Sequence, residues 1–196
     1  LWEGQPPDKS RKYLRQTLWK LKSALEDHCN ANPPDLLVDT EWIQLNLSAN
    51  WSVDIVEFEQ IFVAVKDKRA NELSAAEFLA LQQAIDLYKG DLLEGWYQDW
   101  CLLERERFQS IYMMMLNKLV QYCKIHQMVD AGLAFGEKLL SHDRAYECVH
   151  REMMQLYLIA GDRTQALRQY ERCVIALREE LSIEPSERTA QLYEHI

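Results

Sequence analysis

The sequence predicts a mainly α-helical chain with one small β-hairpin near its start and a helical-repeat region after it. Three observations predict this. Apolar residues recur at helical spacing from about residue 52 to the end. Period-two alternation is confined to one stretch, LLVDTEWIQLNL at residues 36–47. Two ten-residue segments, AGLAFGEKLL at 131–140 and QALRQYERCV at 165–174, align at an offset of 34 residues, which is the tetratricopeptide period of one helix pair per unit.

The first helix starts at Pro7-Asp8, where proline suits the first turn and an early acid suits the helix dipole. Leu14, Leu18, Leu21 and Leu25 form its apolar stripe. It is expected to stop near His28, ahead of the breaker cluster at residues 30–34. The hairpin follows, with residues 36–38 and 42–47 flanking a polar link at residues 39–41. Residues 53–65 then carry Ile55, Val56, Phe58, Ile61, Phe62 and Val65 at helical spacing. Ser74-Ala75-Ala76-Glu77 is a capping box that opens a helix to about Tyr88, and Lys89-Gly90-Asp91 breaks it.

A long helix is predicted over residues 98–124, with Phe108, Ile111, Tyr112, Met115, Leu116, Leu119 and Cys123 on one face. Helices over 129–141, 145–160 and 163–181 follow, and Pro185-Ser186 starts a last one. Within the repeat, Leu133 matches Leu167, Glu137 matches Glu171, Lys138 matches Arg172 and Leu140 matches Val174. Gly132 and Ala166 fall where paired helices approach closely.

The chain of 196 residues is long enough to bury a core without disulfide staples. Its five cysteines are widely spaced with no CxxC, so neither a disulfide framework nor a zinc module is indicated, and a reduced cytoplasmic setting is expected. No apolar run reaches the roughly 18 residues of a membrane span. The charge is unevenly placed. Six Lys/Arg and no acid lie between Lys9 and Lys22, and the first 28 residues carry six Lys/Arg against four Asp/Glu, a net +2, in a chain of net charge -9. A basic helix face is a means of meeting a phosphate backbone, and the acidity of the remainder keeps such a contact local.

At about 100° per residue, Lys9, Lys12, Gln16, Trp19 and Lys20 lie opposite the leucine stripe, and Arg15 lies on its flank. A helix can enter the major groove while Lys and Arg fix it on phosphates. A hairpin directly after it can follow the backbone or reach the minor groove, giving the order recognition helix then wing. The alternative is a surface helix with a solvated basic face. Trp19 can stack on a sugar or pack on a neighbouring element, and packing is the expectation.

Catalysis finds no support. The five histidines are scattered, and His142, Cys148 and His150 match no metal-module spacing. Gly-rich phosphate loops, GxSxG and HExxH are absent. No catalytic residue, metal or cofactor is assigned. Glu104-Arg105-Glu106-Arg107 reads as a solvated or salt-bridged face. The Met113–Met115 triplet reads as flexible core filler, with an adaptable binding surface as the second reading.

The stretch LWEGQPPDKSRKYLRQTLWKLKSAL resembles the second half of the winged-helix domain in bacterial regulators of the antibiotic-regulatory (SARP) type. DTEWIQLNL followed by WSVDIVEFE resembles their wing and the lead into the next domain. YKGDLLEGWYQDWCLLERERF is similar to the start of the bacterial transcriptional activator domain of that family, and REELSIEPSERTAQLYEHI resembles its end. The resemblance covers essentially the whole chain, except that the sheet and two helices preceding the recognition helix are represented only by residues 1–5.

It implies a DNA-binding transcriptional regulator and not an enzyme. Residues 1–48 would be the C-terminal part of a winged helix, with the recognition helix at 7–25 and the wing at 36–47. Residues 49–196 would be a tetratricopeptide-like activator domain. Lys9, Arg11, Lys12, Arg15, Gln16 and Lys20 are the implied DNA contacts, Arg11 sitting nearest the apolar side. The implied partners are double-stranded promoter DNA and either RNA polymerase or a second copy in a homodimer, with no membrane. The other reading is a helical-repeat interaction or sensing module that makes no DNA contact.

Overall fold

The computed structural model describes residues 6–26, 36–39, 42–46 and 53–196. The chain divides into two compact units, Leu1–Val53 and Asp54–Ile196. The expected end of the first helix near His28, the breaker cluster at 30–34, part of the hairpin link and residues 1–5 lie outside the described residues.

In the first unit, α1 spans Pro7–Glu26. Proline at the first helical position donates no hydrogen bond there and needs none. The backbone N–H of Ser10 donates to the Pro6 carbonyl at 3.1 Å. Strand β1 (Leu36–Val38) pairs antiparallel with β2 (Ile43–Leu45), Leu36 opposite Leu45 and Val38 opposite Ile43. The Asp39 N–H donates to the Trp42 carbonyl at 3.0 Å and closes the hairpin. Trp42 and Asn46, expected inside the second strand, flank it instead.

The second unit is helical. Helix α2 (Asp54–Val65) buries Phe58 and Val65. A 3-10 turn at Ala70–Glu72 follows, which apolar periodicity did not reveal. Three residues are too few to show a period, and only the reciprocal Arg69/Glu72 capping marks the turn. Helix α3 (Ala75–Leu87) starts at the expected box: Ser74 Oγ accepts from the Glu77 N–H, and Glu77 accepts from the Ser74 N–H at 2.9 Å. Helix α4 (Asp99–Ile125) buries all seven residues predicted for its inner face. Ring stacking of Phe78 on Tyr122 (4.5 Å) and of Tyr88 on Tyr112 (4.4 Å) joins α3 and the residue that caps it to α4.

Helices α5 (Val129–His142), α6 (Glu147–Ile159), α7 (Arg163–Leu181) and α8 (Glu187–Glu194) complete the unit. The 34-residue repeat is physical. Helices α4 and α6 end at Ile125 and Ile159, and α5 and α7 begin at Val129 and Arg163. The turns between them match: Met128 N–H donates to the Cys123 carbonyl at 2.8 Å, and Asp162 N–H donates to the Tyr157 carbonyl at 2.8 Å. Both turns use a left-handed residue, Gln127 at φ 56° in one and Gly161 at φ 76° in the other.

A methyl group at Gly132 would lie 2.8 Å from Leu156 Cδ1 and 3.0 Å from Cys123 Cβ. Glycine therefore sets how near α5 comes to α4 and α6. Ala166, its repeat equivalent, is fully buried. Each hairpin packs internally, α4 on α5 and α6 on α7, and α6 also contacts both α4 and α5.

Candidate nucleic-acid interface

Helix α1 places Lys9, Arg11, Lys12, Arg15, Gln16 and Lys20 on its exposed surface. Lys9, Lys12, Gln16 and Lys20 fall within an arc of about 80° at the helical spacing, and Arg15 lies beside it. Arg11 lies nearer the leucines. Among the described residues none of the six takes part in an ion pair. The opposite face is only partly covered: Leu14 and Leu21 are exposed and Leu18 is half-buried.

Trp19 corrects the packing expectation. It is 69% exposed, because it projects from the side of α1 away from the leucine stripe. A large aromatic beside a run of cations is suited to lying along a sugar or a thymine methyl. In the hairpin, Leu36 and Asn46 are buried, whereas Leu37, Val38, Trp42 and Ile43 are exposed. The methionine triplet also divides. Met115 is fully buried and Met113 packs against the core, but Met114 is 46% exposed, since three consecutive helical residues span about 200° and cannot all face inward.

The alternating Glu/Arg run forms the expected salt-bridged face and does more. Arg107 pairs with Glu59 at 2.5 Å and Glu104 at 2.7 Å, and its guanidinium lies 4.4 Å from the centre of the Phe108 ring. Arg105 turns away from these acids. It donates to the carbonyls of Leu92 (2.6 Å) and Trp96 (2.8 Å), and also to that of Leu93. This fixes a loop in which Leu93 is left-handed at φ 50° and Gly95 at φ 86°. The loop and the start of α4 expose Trp96, Tyr97, Trp100 and Leu103. Sequence reasoning missed this aromatic surface. The density of aromatics in GWYQDW was its visible signal.

Neither His150 nor the cysteines form a metal centre among the described residues. His150 is buried, and both ring nitrogens are engaged, Nε2 with the Arg144 carbonyl (2.9 Å) and Nδ1 with the Gln169 amide (2.8 Å). Among the described residues, no helix is long and apolar enough to cross a membrane.

The sequence over residues 53–196 matches the family described as the bacterial transcriptional activator domain. The fold is similar to that of Mycobacterium tuberculosis EmbR, solved in complex with a low-affinity phosphopeptide, at a TM-score of 0.62 and 18% identity. That similarity covers 100% of this chain and 52% of the EmbR chain, so this chain spans about half of that structure. No curated protein sequence matches the chain.

Proposed function

This chain belongs to the bacterial transcriptional activator domain family, and from that premise we propose that it regulates transcription by binding promoter DNA through α1 and the hairpin. In this reading residues 1–48 are the C-terminal part of a winged helix and residues 49–196 the activator domain. The observation that carries it is the exposed cationic arc of Lys9, Lys12, Gln16 and Lys20, free of ion pairs among the described residues. Lysines so placed hold a helix on phosphates, and Gln16, with Arg15 beside it, offers the donors and acceptor that read base edges. Arg11, nearer the leucines, contributes from the margin. Function in the bacterial cytoplasm follows from the same role.

The activator domain supplies the protein contact, to RNA polymerase or to a second copy. The exposed Trp96 and Tyr97, on a loop that Arg105 fixes, and Trp100 at the start of α4 support such a contact, because exposed aromatics on a rigid support are the usual anchors of interfaces. That surface also supports the second reading, an interaction module that makes no DNA contact.

Fluorescence anisotropy with a labelled duplex of about three helical turns separates the two. Affinity should fall steeply as salt rises. The double variant Lys12→Ala/Lys20→Ala should shallow the log–log slope by about one unit per lost phosphate contact, roughly two in all. No binding of the duplex even at low salt would leave only the interaction module.

A further inference from the structure

A cleft of about 510 Å³ opens on the helical-repeat unit, lined by residues of α5, α6 and α7 and by Arg144 between α5 and α6. Its size is that of ordinary small-ligand sites. Leu140 of α5, Met153 of α6 and Ile175 and Ala176 of α7 make its apolar walls. The floor is polar and internally satisfied. A carbonyl can only accept, so His150 Nε2–H donates to the Arg144 carbonyl and Nδ1 accepts from the Gln169 amide. Burial lowers the His150 pKa and keeps the ring neutral. The second amide hydrogen of Gln169 is directed at Met153 Sδ, 3.6 Å away. The floor therefore carries no charge and has no donor to spare.

The charges sit at the rim. Arg144 is held by Glu179 at 3.1 Å and Glu180 at 3.5 Å. Arg172 has no carboxylate within ion-pair distance among the described residues and makes only a long 3.5 Å contact to Gln169 Oε1. Its remaining N–H groups can form a bidentate fork. Glu137 also lines the cleft and opposes a doubly charged ligand. An uncommitted guanidinium above apolar walls, with one acid nearby, fits a single negative charge on a hydrophobic body.

We propose that this cleft is a binding site for a small amphipathic monocarboxylate, its carboxylate on Arg172 and its apolar body against Leu140, Met153 and Ile175. The site is independent of the DNA-binding reading, and a ligand there would add an effector input to the activator domain.

Isothermal titration calorimetry with a panel of alkyl and aryl monocarboxylates of about six to twelve carbons, each beside its neutral amide, tests this on the full chain. At least one acid should bind, with its amide at least tenfold weaker. Arg172→Gln should weaken the acid by about ten- to a hundredfold, the range of a charge-assisted hydrogen bond. Because Arg172 is exposed, the thermal midpoint of the unliganded variant should stay at the wild-type value. Glu137→Gln should tighten the acid severalfold. No binding by any acid at about 10 mM, a concentration that detects even weak sites, would overturn the proposal. So would equal affinity for acid and amide, or indifference to Arg172→Gln. A tripeptide ending in Leu with a free carboxylate serves as a further probe, and binding of it alone would overturn the assignment to a small molecule.

Discussion

Gly132→Ala tests whether the repeat is held by close helix approach. In an open helix the change would stabilise by about 1 kcal/mol, the propensity difference. Here the new methyl group meets Leu156 Cδ1 at 2.8 Å and Cys123 Cβ at 3.0 Å. The leucine tip can turn aside, but the cysteine Cβ is fixed to its backbone. Overpacking of this kind costs about 1–3 kcal/mol, so the net expectation is a loss of about 1 kcal/mol. Leu156→Ala alone removes a fully buried side chain and should cost about 2–5 kcal/mol. In the double variant the alanine at position 132 occupies space that Leu156 has vacated. The combined loss should therefore fall short of the sum by about 0.5–2 kcal/mol, while the contact with Cys123 keeps the relief partial. Urea unfolding followed by helical ellipticity measures all four corners of the cycle. A stabilised single variant, or additivity within about 0.3 kcal/mol, would refute the close-approach account.

Other expectations follow from the same unit. The Lys68 ammonium, 2.5 Å away, and the Ser74 N–H and hydroxyl hold the Glu77 carboxyl down to about 2 from 4.5. A lowered folded-state pKa gives stability that is present above the unfolded value and lost as the carboxylate is protonated. The difference in thermal midpoint between the wild type and Glu77→Gln should thus be full above pH 4.5 and shrink toward pH 2. Burial pushes the Cys123 and Cys173 thiols up to about 11 and about 12. In a Cys29→Ser background at mildly alkaline pH, iodoacetamide should label Cys148, the one partly exposed thiol among those described, before either of them. Labelling of all at one rate would contradict that burial. Arg105→Ala removes the donor to three loop carbonyls. Proteolysis between residues 92 and 97 should accelerate by about tenfold or more, since each charge-assisted bond lost is worth about 1.5 kcal/mol or above. An unchanged nicking rate would show that the loop holds itself.

The helical elements were legible because their signals are local and repeated. The Ser74 box, the stripe of α4 and the 34-residue offset each state a period or a cap that chain geometry must honour. Residues 163–181 were predicted as a helix with the boundaries that α7 has. The misses share a cause: the deciding partner is distant in sequence or absent from the pattern. Trp19 was expected to pack because large aromatics usually do, but nothing in a helical period says whether a neighbour exists. Arg105 reads as one of four alternating charges, and its use as a clamp depends on carbonyls 9 to 13 residues earlier. The candidate interface on α1 was legible as a basic arc. The cleft was not, because Leu140, His150 and Arg172 come from three helices and no linear motif joins them.

If α1 meets DNA as proposed, the charge distribution sets the salt response of that binding. Lys9, Arg11, Lys12, Arg15 and Lys20 are the five cations implied as DNA contacts, with Lys22 a sixth cation on α1, in a chain whose overall charge is -9. If all five meet phosphates, the slope of log affinity against log salt is about -4.5. Two copies on adjacent half-sites double the count and bring the slope to about -9. One copy would lose roughly five hundredfold in affinity between about 50 and 200 mM salt, and two copies the square of that. With all five engaged in each copy, the measured slope reports how many α1 helices sit on the DNA without reference to the operator sequence. A value near -4.5 that persists at high protein concentration would rule out the homodimer as the binding form. A value steeper than about -9 would require cations beyond these five, and the arc would then be too small a description of the interface.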